Sequence, residues 1–433
     1  MRTLLLIAGR SRRFWPLSEK SLFPICGKTV LEHQVQRLRD GGCTDIMLVV
    51  GAHNAADAAR VCPDVPSIEQ RELDLGMRGA LLDALPRMGE SPVLIVSGND
   101  VIPPSSYAKL LAALNDSAVD GALLASRVSR YFPGGYLTLD GERVTGILEK
   151  PGAGNEPSNL VNIVAHVHRS PKALLAALQN AETERDDGYE AALGLLFAKY
   201  RYTAVPIDGP WLPIKYPWHL LPLLGQLLSD IHTPCIDASA RIHPSAVIEG
   251  PVIIGSDARV FPHATIVGPC VIDAHAVVGN GCLVRQSSIG VHSVIGFQSE
   301  VKSSVLGEHV WTHSTYIGDS VIGRNVSFGA GSVTGNLRLD EGEIYSHVAD
   351  ERLATGLQKF GTVIGENCRI GIHAGISPGV KIGAGSFIGS SVFVSHDAPE
   401  RSFVSMKNGE MYCRPNTASA PSPGDRGSFK SQL

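Results

Sequence analysis

Several common signals are missing from this 433-residue sequence, and each absence argues against a class of protein. The eight cysteines are scattered without a CxxC pair, which argues against a zinc site and predicts a reduced, cytoplasmic protein. No apolar run approaches the roughly 20 residues that a membrane-spanning helix needs. The run from Leu4 to Ile7 is too short for a signal peptide, and basic residues follow it instead of preceding it.

A large excess of charge is missing as well. The formal net charge is -4 and 18% of the residues are charged, so we expect no nucleic-acid partner and no membrane partner. A chain of 433 residues exceeds one ordinary hydrophobic core, which predicts two domains.

The basic residues that are present gather near the N-terminus. Leu4 to Ile7 is typical of a buried parallel strand, and the run that follows, as far as Lys28, contains five basic residues against Glu19 as the only acid. Open α/β sheets bind phosphorylated ligands at such loops, beyond the carboxyl ends of parallel strands. A solvated basic loop would have the same composition, so both interpretations stay open on these residues alone.

Strands and helices alternate over the first 228 residues, which predicts an α/β domain with a mostly parallel sheet. A helical pattern starts near Thr29. The strand over Val93 to Val96 leads through Gly98 to Asp100. An acid at the tip of a buried strand is well placed to hold a divalent metal, although it can equally cap the next turn.

Beyond a short connector the apolar periodicity changes to six residues. This period predicts a hexapeptide parallel β-helix, a three-sided prism with one inward aliphatic side chain on each flat face. We therefore predict a nucleotidyltransferase-like domain over 1–229, a linker over 230–235, a β-helix over 236–413 and a disordered tail over 414–433. The residues that carry the period are Ile236, Ile242, Ile248, Ile254, Val260, Ile266, Ile272, Val278 and Val284, and later Ile364, Ile370, Ile376, Ile382, Ile388 and Val394.

The N-terminal basic run resembles the signature loop of the sugar-1-phosphate nucleotidylyltransferases, which reads AAGxGTR, a spacer, PK and a later GK. The resemblance implies a Rossmann-like fold in which Ala8 and Gly9 bind the nucleotide while Arg13 and Lys20 offset the charge of a triphosphate. The positions that match the pattern are Ala8, Gly9, Arg13, Lys20, Gly27 and Lys28.

The same run departs from the family pattern at three positions. Ser11 stands for the second glycine, Arg12 for the threonine, and Glu19 for the proline before the lysine. Ser11 matters most, because a glycine there lets backbone N–H groups approach a triphosphate closely.

Further matches to this family follow along the chain. Asp100 matches the magnesium aspartate. Glu149 and Lys150 match the EKP motif that meets the sugar and its phosphate, and Asn162 matches the SNLVN asparagine on a sugar hydroxyl. The base-reading segment is represented by Gln70 and Gly76, with Met77 in place of its threonine.

The closing segment of the family, WxDIxxPxxL, is present with one substitution. Pro213 occupies the place of its aspartate, so the second magnesium ligand is missing from its usual position. Asp208, five residues earlier, is the candidate substitute.

The segment from Trp311 to Asn336 is similar to the acetyltransferase half of the bifunctional N-acetylglucosamine-1-phosphate uridylyltransferases/glucosamine-1-phosphate acetyltransferases. This resemblance implies a left-handed β-helix and a homotrimer. His313 would take the proton from the sugar amine, while Tyr316 and Asn336 would hold the amino sugar.

The same resemblance assigns a phosphate-binding pair. Arg285 and Lys302 match the residues that grip the sugar phosphate. Ser327 replaces the usual asparagine, and no lysine lies between Gly335 and Lys359, where a third cationic contact is expected.

Together the resemblances imply a bifunctional enzyme of cell-envelope precursor synthesis. One half would join a nucleoside triphosphate to a sugar 1-phosphate with Mg²⁺ and release pyrophosphate. The other would acetylate an amino-sugar 1-phosphate from acetyl-CoA. The alternative is a degenerate front domain that acts as a non-catalytic or regulatory subunit, with the prism active as an acetyltransferase or serving only for assembly.

Overall fold

A computed structural model describes residues 1–183 and 187–426. The chain forms two compact units: Met1–Arg10 with Thr29–Pro213, and Ser11–Lys28 with the chain from Ile214 onward. The predicted domain boundary at residue 229 differs from this division, because residues 11–28 and 214–229 group with the second unit.

A nine-stranded sheet forms the centre of the first unit as far as the structure describes it. Its first four strands are mutually parallel, and Gly121–Arg127 is parallel to Tyr202–Pro206, whereas the other neighbours run antiparallel. Across the sheet the strands are Ser67–Glu69, Asp45–Val50, Arg2–Leu6, Val93–Ser97, Leu160–His168, Gly121–Arg127, Tyr202–Pro206, Arg143–Glu149 and Gly135–Asp140. The predicted α/β class is confirmed.

Helices of the first unit pack their apolar sides against this sheet. The helix predicted near Thr29 begins there because the Thr29 hydroxyl accepts from the Glu32 N–H and the Glu32 carboxylate accepts from the Thr29 N–H, a capping box. The described helices of this unit are Val30–Asp40, Ala55–Val61, Gly76–Ala84, Pro104–Ala112, Pro171–Asn180 and Gly188–Lys199. Leu220–Ser229 is a helix of the second unit.

Short parallel strands stack on three faces of the second unit, consistent with a left-handed hexapeptide β-helix. The first face holds Cys235–Ile236, Val252–Ile254, Cys270–Ile272, Ser288–Ile289, Val305–Leu306, Val321–Ile322, Thr362–Ile364 and Val380–Ile382. The second holds Arg241–Ile242, Arg259–Val260, Val277–Val278, Val294–Ile295, Ser327–Phe328, Arg369–Ile370, Phe387–Ile388 and Ser402–Lys407, and the last of these pairs antiparallel with Glu410–Pro415. The third holds Val247–Glu249, Thr265–Val267, Leu283–Arg285, Glu300–Lys302, Tyr316–Gly318, Val333–Thr334, Gly375–Ile376 and Phe393–Val394.

The six-residue period corresponds to the buried core of this prism. Ile266, Ile272 and Ile364 are 0% exposed, whereas Ile236 on the first coil is 46% exposed because no coil covers it from below. The period slips where coils shorten: Val252 pairs with Cys270, eighteen positions on, but Val271 pairs with Ser288, seventeen positions on.

Two segments leave or cover the prism. The strands Tyr345–Val348 and Glu351–Ala354 form an antiparallel hairpin between two coils. The prediction of a disordered tail is corrected for 414–426: the Pro421 carbonyl accepts from the Asn325 amide at 3.0 Å, and the Arg426 guanidinium lies 4.1 Å from the Trp311 ring centroid. Residues 427–433 lie outside the described part of the chain.

The basic segment 11–28 also packs within the second unit. Its apolar side chains Phe14, Leu17, Phe23 and Ile25 are buried, and the Cys26 N–H donates to the Ser288 hydroxyl at 2.8 Å. It is therefore more ordered than a solvated loop.

A buried lysine joins three parts of this unit. Lys381 is 3% exposed and its ammonium lies 3.3 Å from the Asp397 carboxylate, 4.6 Å from the Trp15 ring centroid and within hydrogen-bond distance of the His347 carbonyl. A buried charge needs such partners, so these three contacts tie the basic segment and the hairpin to the prism.

All eight cysteines are free thiols in this structure. Among the described residues, every helix is too short or too polar to cross a bilayer.

Asp273 lies beside the basic segment, and a Cβ on Gly27 would meet its Oδ1 at 3.0 Å. Burial, and then the charge of Glu308, raises the pKa of this carboxyl to about 7. In the unfolded chain the carboxyl titrates near 3.9. Between about pH 4 and pH 7 the folded state therefore binds more protons than the unfolded state, and this group lowers the stability of the fold as the pH rises.

Asp273→Asn removes this titration. We expect the variant to melt at a higher temperature than the wild type near pH 7.5, with the difference shrinking towards zero as the pH falls to about 4. Calorimetric melts across this range test the prediction, with Glu249→Gln as the control because Glu249 is an exposed carboxylate of the same prism. A difference that stays constant with pH would contradict it.

Candidate active sites

The predicted nucleotide residues of the first unit lie at one edge of its sheet. Ala8 and Gly9 follow the strand Arg2–Leu6, and Gln70 follows Ser67–Glu69, both in the parallel part of the sheet. The carboxyl ends of parallel strands meet at a common edge, which is where α/β sheets bind ligands.

Gln70 shapes the turn that would face a base. The side chain is 4% exposed, and its amide nitrogen donates to the carbonyls of Glu72 and Gly76, each at 2.9 Å. This fixes the start of the helix Gly76–Ala84, so Gln70 would reach a base only through its other amide atom, Oε1.

Asp100 lies three residues beyond the parallel strand Val93–Ser97, at the same edge, and begins the two-residue strand Asp100–Val101. Its side chain is buried, and its Oδ1 accepts a hydrogen bond from the Trp211 indole at 2.6 Å. Pro213 pairs directly with Asp100 in a two-stranded antiparallel ladder. The proline therefore lies opposite the single carboxylate. Trp211 is the tryptophan of the closing segment WxDIxxPxxL, but the sequence did not indicate its contact with Asp100, 111 residues away.

The candidate substitute, Asp208, is engaged elsewhere. Its carboxylate lies 3.2 Å from the Lys109 ammonium, and hydrogen bonds from Lys109 and Ser105 hold its pKa below the ordinary value. Over the described ranges, no three His, Cys, Asp or Glu side chains are grouped so that they could hold a metal ion.

The predicted sugar residues approach this edge from the antiparallel strands. Ala165 pairs with Val96 in antiparallel register, so Asn162, three residues earlier, lies towards the end of the sheet that carries Asp100. Val161 pairs with Tyr136, and the adjacent Gly135 pairs with Glu149.

Lys150 follows in a left-handed backbone conformation, with φ of 46°. Twenty other described non-glycine residues also have a positive φ, most of them at corners of the prism. Its ammonium lies 3.4 Å from Glu149. The two residues of the EKP motif therefore form an ion pair at the end of their strand.

Two of the three departures in the signature loop contact each other. Ser11 adopts the left-handed conformation that glycine favours, with φ of 49°, and its hydroxyl donates to the Glu19 carboxylate at 2.9 Å. The carboxylate also accepts from the Ser21 N–H at 3.1 Å. Arg13 is exposed and Lys20 is half-buried on this loop.

On the third face of the prism, charged and polar residues cluster on successive coils. Arg285 pairs in register with Lys302, and Lys302 with Gly318. Lys302 lies 2.9 Å from the Asp319 carboxylate, and Arg285 forms an ion pair with Glu300. Each predicted phosphate-binding cation therefore already forms an ion pair with a carboxylate of the neighbouring coil. The sequence indicated no role for Glu300 or Asp319.

Tyr316 and Asn336 complete this cluster. The Asn336 amide donates to the Tyr316 hydroxyl at 3.1 Å and to Asp319 at 2.5 Å. A side chain at Gly318 would clash, since its Cβ would lie 2.4 Å from the Tyr316 hydroxyl and 2.8 Å from the Asn336 amide. Burial, and then the charges of Asp319 and Glu300, raises the pKa of Tyr316, so its hydroxyl keeps its proton.

The Arg285 Nε and the His313 imidazole lack hydrogen bonds to this cluster in the described part of the chain. The Arg285 Nε is one of five buried side-chain polar atoms without a hydrogen-bond partner in the part of the chain that the structure describes. His313 lies on an exposed corner three residues before Tyr316, and no hydrogen bond joins its imidazole to the cluster in the described chain.

Comparison with known proteins agrees with both halves of the fold. Residues 3–239 match the MobA-like NTP transferase domain, residues 231–322 the GMPPB C-terminal domain, and residues 361–396 the bacterial transferase hexapeptide (six repeats). A solved structure, UTP-bound UGPase from Acinetobacter baumannii, aligns at 18% identity and a TM-score of 0.45, over 53% of this chain and 93% of that chain.

Curated relatives extend over nearly the whole chain. The bifunctional sugar-1-phosphate nucleotidylyltransferase/acetyltransferase of Sulfurisphaera tokodaii is 30% identical over 405 residues, which cover 92% of this chain and 98% of that relative. The bifunctional protein GlmU of Methanocaldococcus jannaschii is 30% identical over 414 residues, or 93% and 97% of the two chains.

The chain belongs to this bifunctional nucleotidylyltransferase/acetyltransferase family. The family membership confirms the resemblance that the two sets of motifs suggested. The roles of the individual residues, among them Arg13, Lys20 and His313, remain predictions. Within the family pattern, Pro213 is the departure with the clearest chemical consequence.

Pro213→Asp should restore a second carboxylate beside Asp100. Directly opposed residues of an antiparallel pair have Cβ atoms about 4.5–5.5 Å apart on the same face. We expect the Mg²⁺ concentration for half-maximal nucleotidyl transfer to fall about 10-fold, a typical effect of one added charged ligand contact. Magnesium titrations of the initial rate measure it.

The matched control for this gain is Leu212→Asp. Leu212 is the preceding residue of the same short strand and points to the opposite face. An unchanged magnesium requirement in the Pro213 variant, or an equal change in both variants, would contradict the interpretation of Pro213 as a lost ligand.

Proposed function

We propose that the first unit transfers a nucleotidyl group from a nucleoside triphosphate to a sugar 1-phosphate. A phosphate oxygen of the sugar attacks the α-phosphorus, the new P–O bond forms, and pyrophosphate leaves as the old bond breaks. The observation that carries this proposal is that Gln70, Asp100 and Asn162 all lie at one edge of the sheet. Gln70 would bind the base and Asn162 a sugar hydroxyl.

The charged residues complete the proposed site. Glu149 would orient the sugar and Lys150 would hold its phosphate. Arg13 and Lys20, which group with the second unit, would have only the role that the family resemblance implies, to offset charge on the triphosphate. This proposal keeps the roles that the family resemblance gave to these residues.

The proposed site would hold Mg²⁺ through a single protein carboxylate. Protein sites for Mg²⁺ often supply one or two carboxylates and leave the other positions to water and substrate phosphates. Asp100 would supply the one carboxylate that such a site needs at least, and the Trp211 indole N–H already holds its Oδ1 atom in place. When bound, the ion would neutralise charge that develops on the phosphate oxygens.

The second unit would acetylate an amino-sugar 1-phosphate. The sugar amine attacks the thioester carbon of acetyl-CoA, the N–C bond forms, and the C–S bond breaks. His313 would take the amine proton, and CoA leaves as its thiol. Arg285 and Lys302 would bind the sugar phosphate, with the buried Arg285 Nε as one donor.

A cavity in the second unit has the size and lining expected for acetyl-CoA. Its volume is about 780 Å³, within the usual range for ligand pockets. Basic and aromatic side chains, which would suit the phosphates and the adenine ring of this co-substrate, line it together with aliphatic residues and two acids, Asp340 and Asp397. They include Arg338, Tyr345, His347, Arg352 and His396.

We further propose a homotrimer in the cytoplasm. Several large apolar side chains of the prism and its loop remain exposed in the single chain: Phe297 by 57%, Ile372 by 50%, Phe393 by 58% and Leu339 fully. Large apolar side chains that stay exposed in a single chain are candidates for burial on association. Partner prisms would cover it and complete the site around His313.

A second candidate function for the first unit is a non-catalytic or regulatory one. It is favoured by Pro213 opposite Asp100 and by the pairing of Asp208 with Lys109. In that case the chain would retain acetyl transfer alone.

Pyrophosphate release separates the two candidates. With Mg²⁺, we expect release from at least one pair in a panel of nucleoside triphosphates with glucose 1-phosphate and N-acetylglucosamine 1-phosphate. Asp100→Asn should reduce that rate at least about 100-fold, since a charged metal contact is lost. Asp208→Asn is the control and should stay within about twofold of the wild type. Absence of release from every pair would contradict the proposal and favour the regulatory function.

His313→Ala tests the second activity. We expect release of CoA thiol with glucosamine 1-phosphate to fall by about 10²–10⁴-fold, the usual contribution of a general base, while pyrophosphate release is unchanged. His373→Ala is the matched control, because His373 occupies another exposed corner of the prism. Equal thiol release by the His313 variant and the wild type would refute the role.

A further inference from the structure

A chain of uncharged polar side chains runs through the interior of the first unit and ends at Asn162. His166 lies 2.8 Å from Asn162 Oδ1 through Nε2 and 2.8 Å from the Tyr189 hydroxyl through Nδ1. His168 lies 3.3 Å from the same Tyr189 hydroxyl through Nε2 and 2.8 Å from the Tyr202 hydroxyl through Nδ1. Four of the five members are at most 3% exposed, and only Asn162 reaches the surface.

A β-bulge brings the first two members together. Asn162 pairs with Ala125 and His166 with Leu123, so four residues on one strand correspond to two on its neighbour. Both side chains therefore lie on the same face, at the separation that residues i and i+2 of a regular strand would have. Without the bulge, the imidazole would lie too far from the Asn162 amide for a hydrogen bond.

The far end of the chain depends on the absence of a side chain at Gly121. Gly121 pairs with His168 on one side and with Tyr202 on the other. A Cβ there would lie 2.1 Å from the Tyr202 ring. The Tyr202 ring therefore lies over Gly121, and its hydroxyl reaches His168 on the far side of the intervening strand Gly121–Arg127.

Each imidazole nitrogen can donate or accept according to the tautomer, so the distances alone allow two opposite directions for this chain. With the Asn162 oxygen facing His166, each donor is used once when Tyr202 donates to His168 Nδ1, His168 Nε2–H to Tyr189, Tyr189 to His166 Nδ1, and His166 Nε2–H to Asn162 Oδ1. Burial lowers the pKa of His168 to about 3 and that of His166 well below its ordinary value. Both imidazoles are therefore neutral, with one donor and one acceptor each.

We propose that His166 is a positioning residue that holds the Asn162 carboxamide with its oxygen inward, so that its NH₂ group donates to a sugar hydroxyl. This inference rests on the proposed sugar-binding role of Asn162. The remaining members act through His166: Tyr189, His168 and Tyr202 fix its tautomer. The site would therefore distinguish a hydroxyl that accepts a hydrogen bond from a ligand that can only donate one.

The architecture favours this role over simple core packing. Buried polar groups lower stability unless they are fully paired, and apolar residues of similar volume would fill the same space at less risk. Here every buried polar group has a hydrogen-bond partner, and only Asn162, at the end of the chain, reaches the surface. A function at Asn162 accounts for polar residues at these buried positions.

Substitution of the buried tyrosine is the cleanest activity test, because it removes one hydroxyl and conserves volume. Tyr189→Phe should raise KM for the sugar 1-phosphate about 5- to 10-fold, the effect of losing one hydrogen bond, with KM for the nucleoside triphosphate within about twofold. Tyr107→Phe is the matched control, since Tyr107 is a 1% exposed tyrosine of the same unit outside the chain. The probes are glucose 1-phosphate and N-acetylglucosamine 1-phosphate.

Replacing the histidine adds a rescue. His166→Leu should raise the sugar KM at least as much as Tyr189→Phe, and His166→Gln, which keeps an N–H near Asn162, should restore most of it. Equal rises in both KM values, or no rescue by glutamine, would overturn positioning in favour of a structural role. Calorimetric binding of the same sugar phosphates gives the pattern independently of turnover.

Asn162→Ala separates failure of this inference from failure of the proposed site. If Asn162→Ala leaves sugar binding unchanged, the proposed sugar contact is wrong and the positioning role falls with it. If Asn162→Ala weakens sugar binding but the Tyr189 and His166 variants do not, positioning alone is wrong.

The direction of the chain has its own readout. In ¹⁵N-histidine NMR spectra of the full-length protein, assigned with the His166→Gln and His168→Gln variants, both imidazoles should be neutral Nε2–H tautomers from pH 5 to pH 8. An Nδ1–H tautomer at His166 would reverse the chain, turn the Asn162 oxygen outward and overturn the inference.

Discussion

The carboxyl ends of parallel strands share one edge of a sheet, and the first unit depends on this constraint. Residues that follow three different strands, Ala8, Gln70 and Asp100, meet there although up to 92 positions separate them. The antiparallel strand that carries Asn162 begins at the same edge. A nucleotide and a sugar phosphate are both anionic, so the proposed reaction needs positive charge at this edge, and in that proposal Asp100 would hold a cation there.

The second unit uses a different constraint with a similar result. Coils of nearly constant length stack, so residues 17 positions apart become neighbours, as Arg285 and Lys302 do. The core of the prism is mostly aliphatic, and the charged and polar residues that could contact a ligand lie on its outer faces. The cluster of Lys302, Asp319 and Asn336 is balanced in charge, which favours a ligand that carries both a phosphate and an amine.

Most of the architecture could be predicted from the sequence because it arises from local periodicity. The six-residue period predicted the core of the prism, and the helical pattern from Thr29 predicted where the helix Val30–Asp40 starts. Contacts between distant positions could not be predicted in this way. The Trp211 bond to Asp100 and the chain from Asn162 to Tyr202 depend on strand order, and the latter also on a bulge. The polar composition of 414–426 predicted disorder, whereas part of this segment is hydrogen-bonded to the prism, as Pro421 is to Asn325.

The central claim is that the Asp100 carboxylate binds a divalent metal together with a nucleoside triphosphate. Binding of Mn²⁺, measured by electron paramagnetic resonance with and without UTP, GTP or TTP, tests it most directly. The account predicts that at least one triphosphate tightens Mn²⁺ binding to the wild-type protein by about 10-fold or more, and that Asp100→Asn abolishes this gain. Mn²⁺ binding that no triphosphate alters, or that persists unchanged in the Asp100 variant, would contradict it.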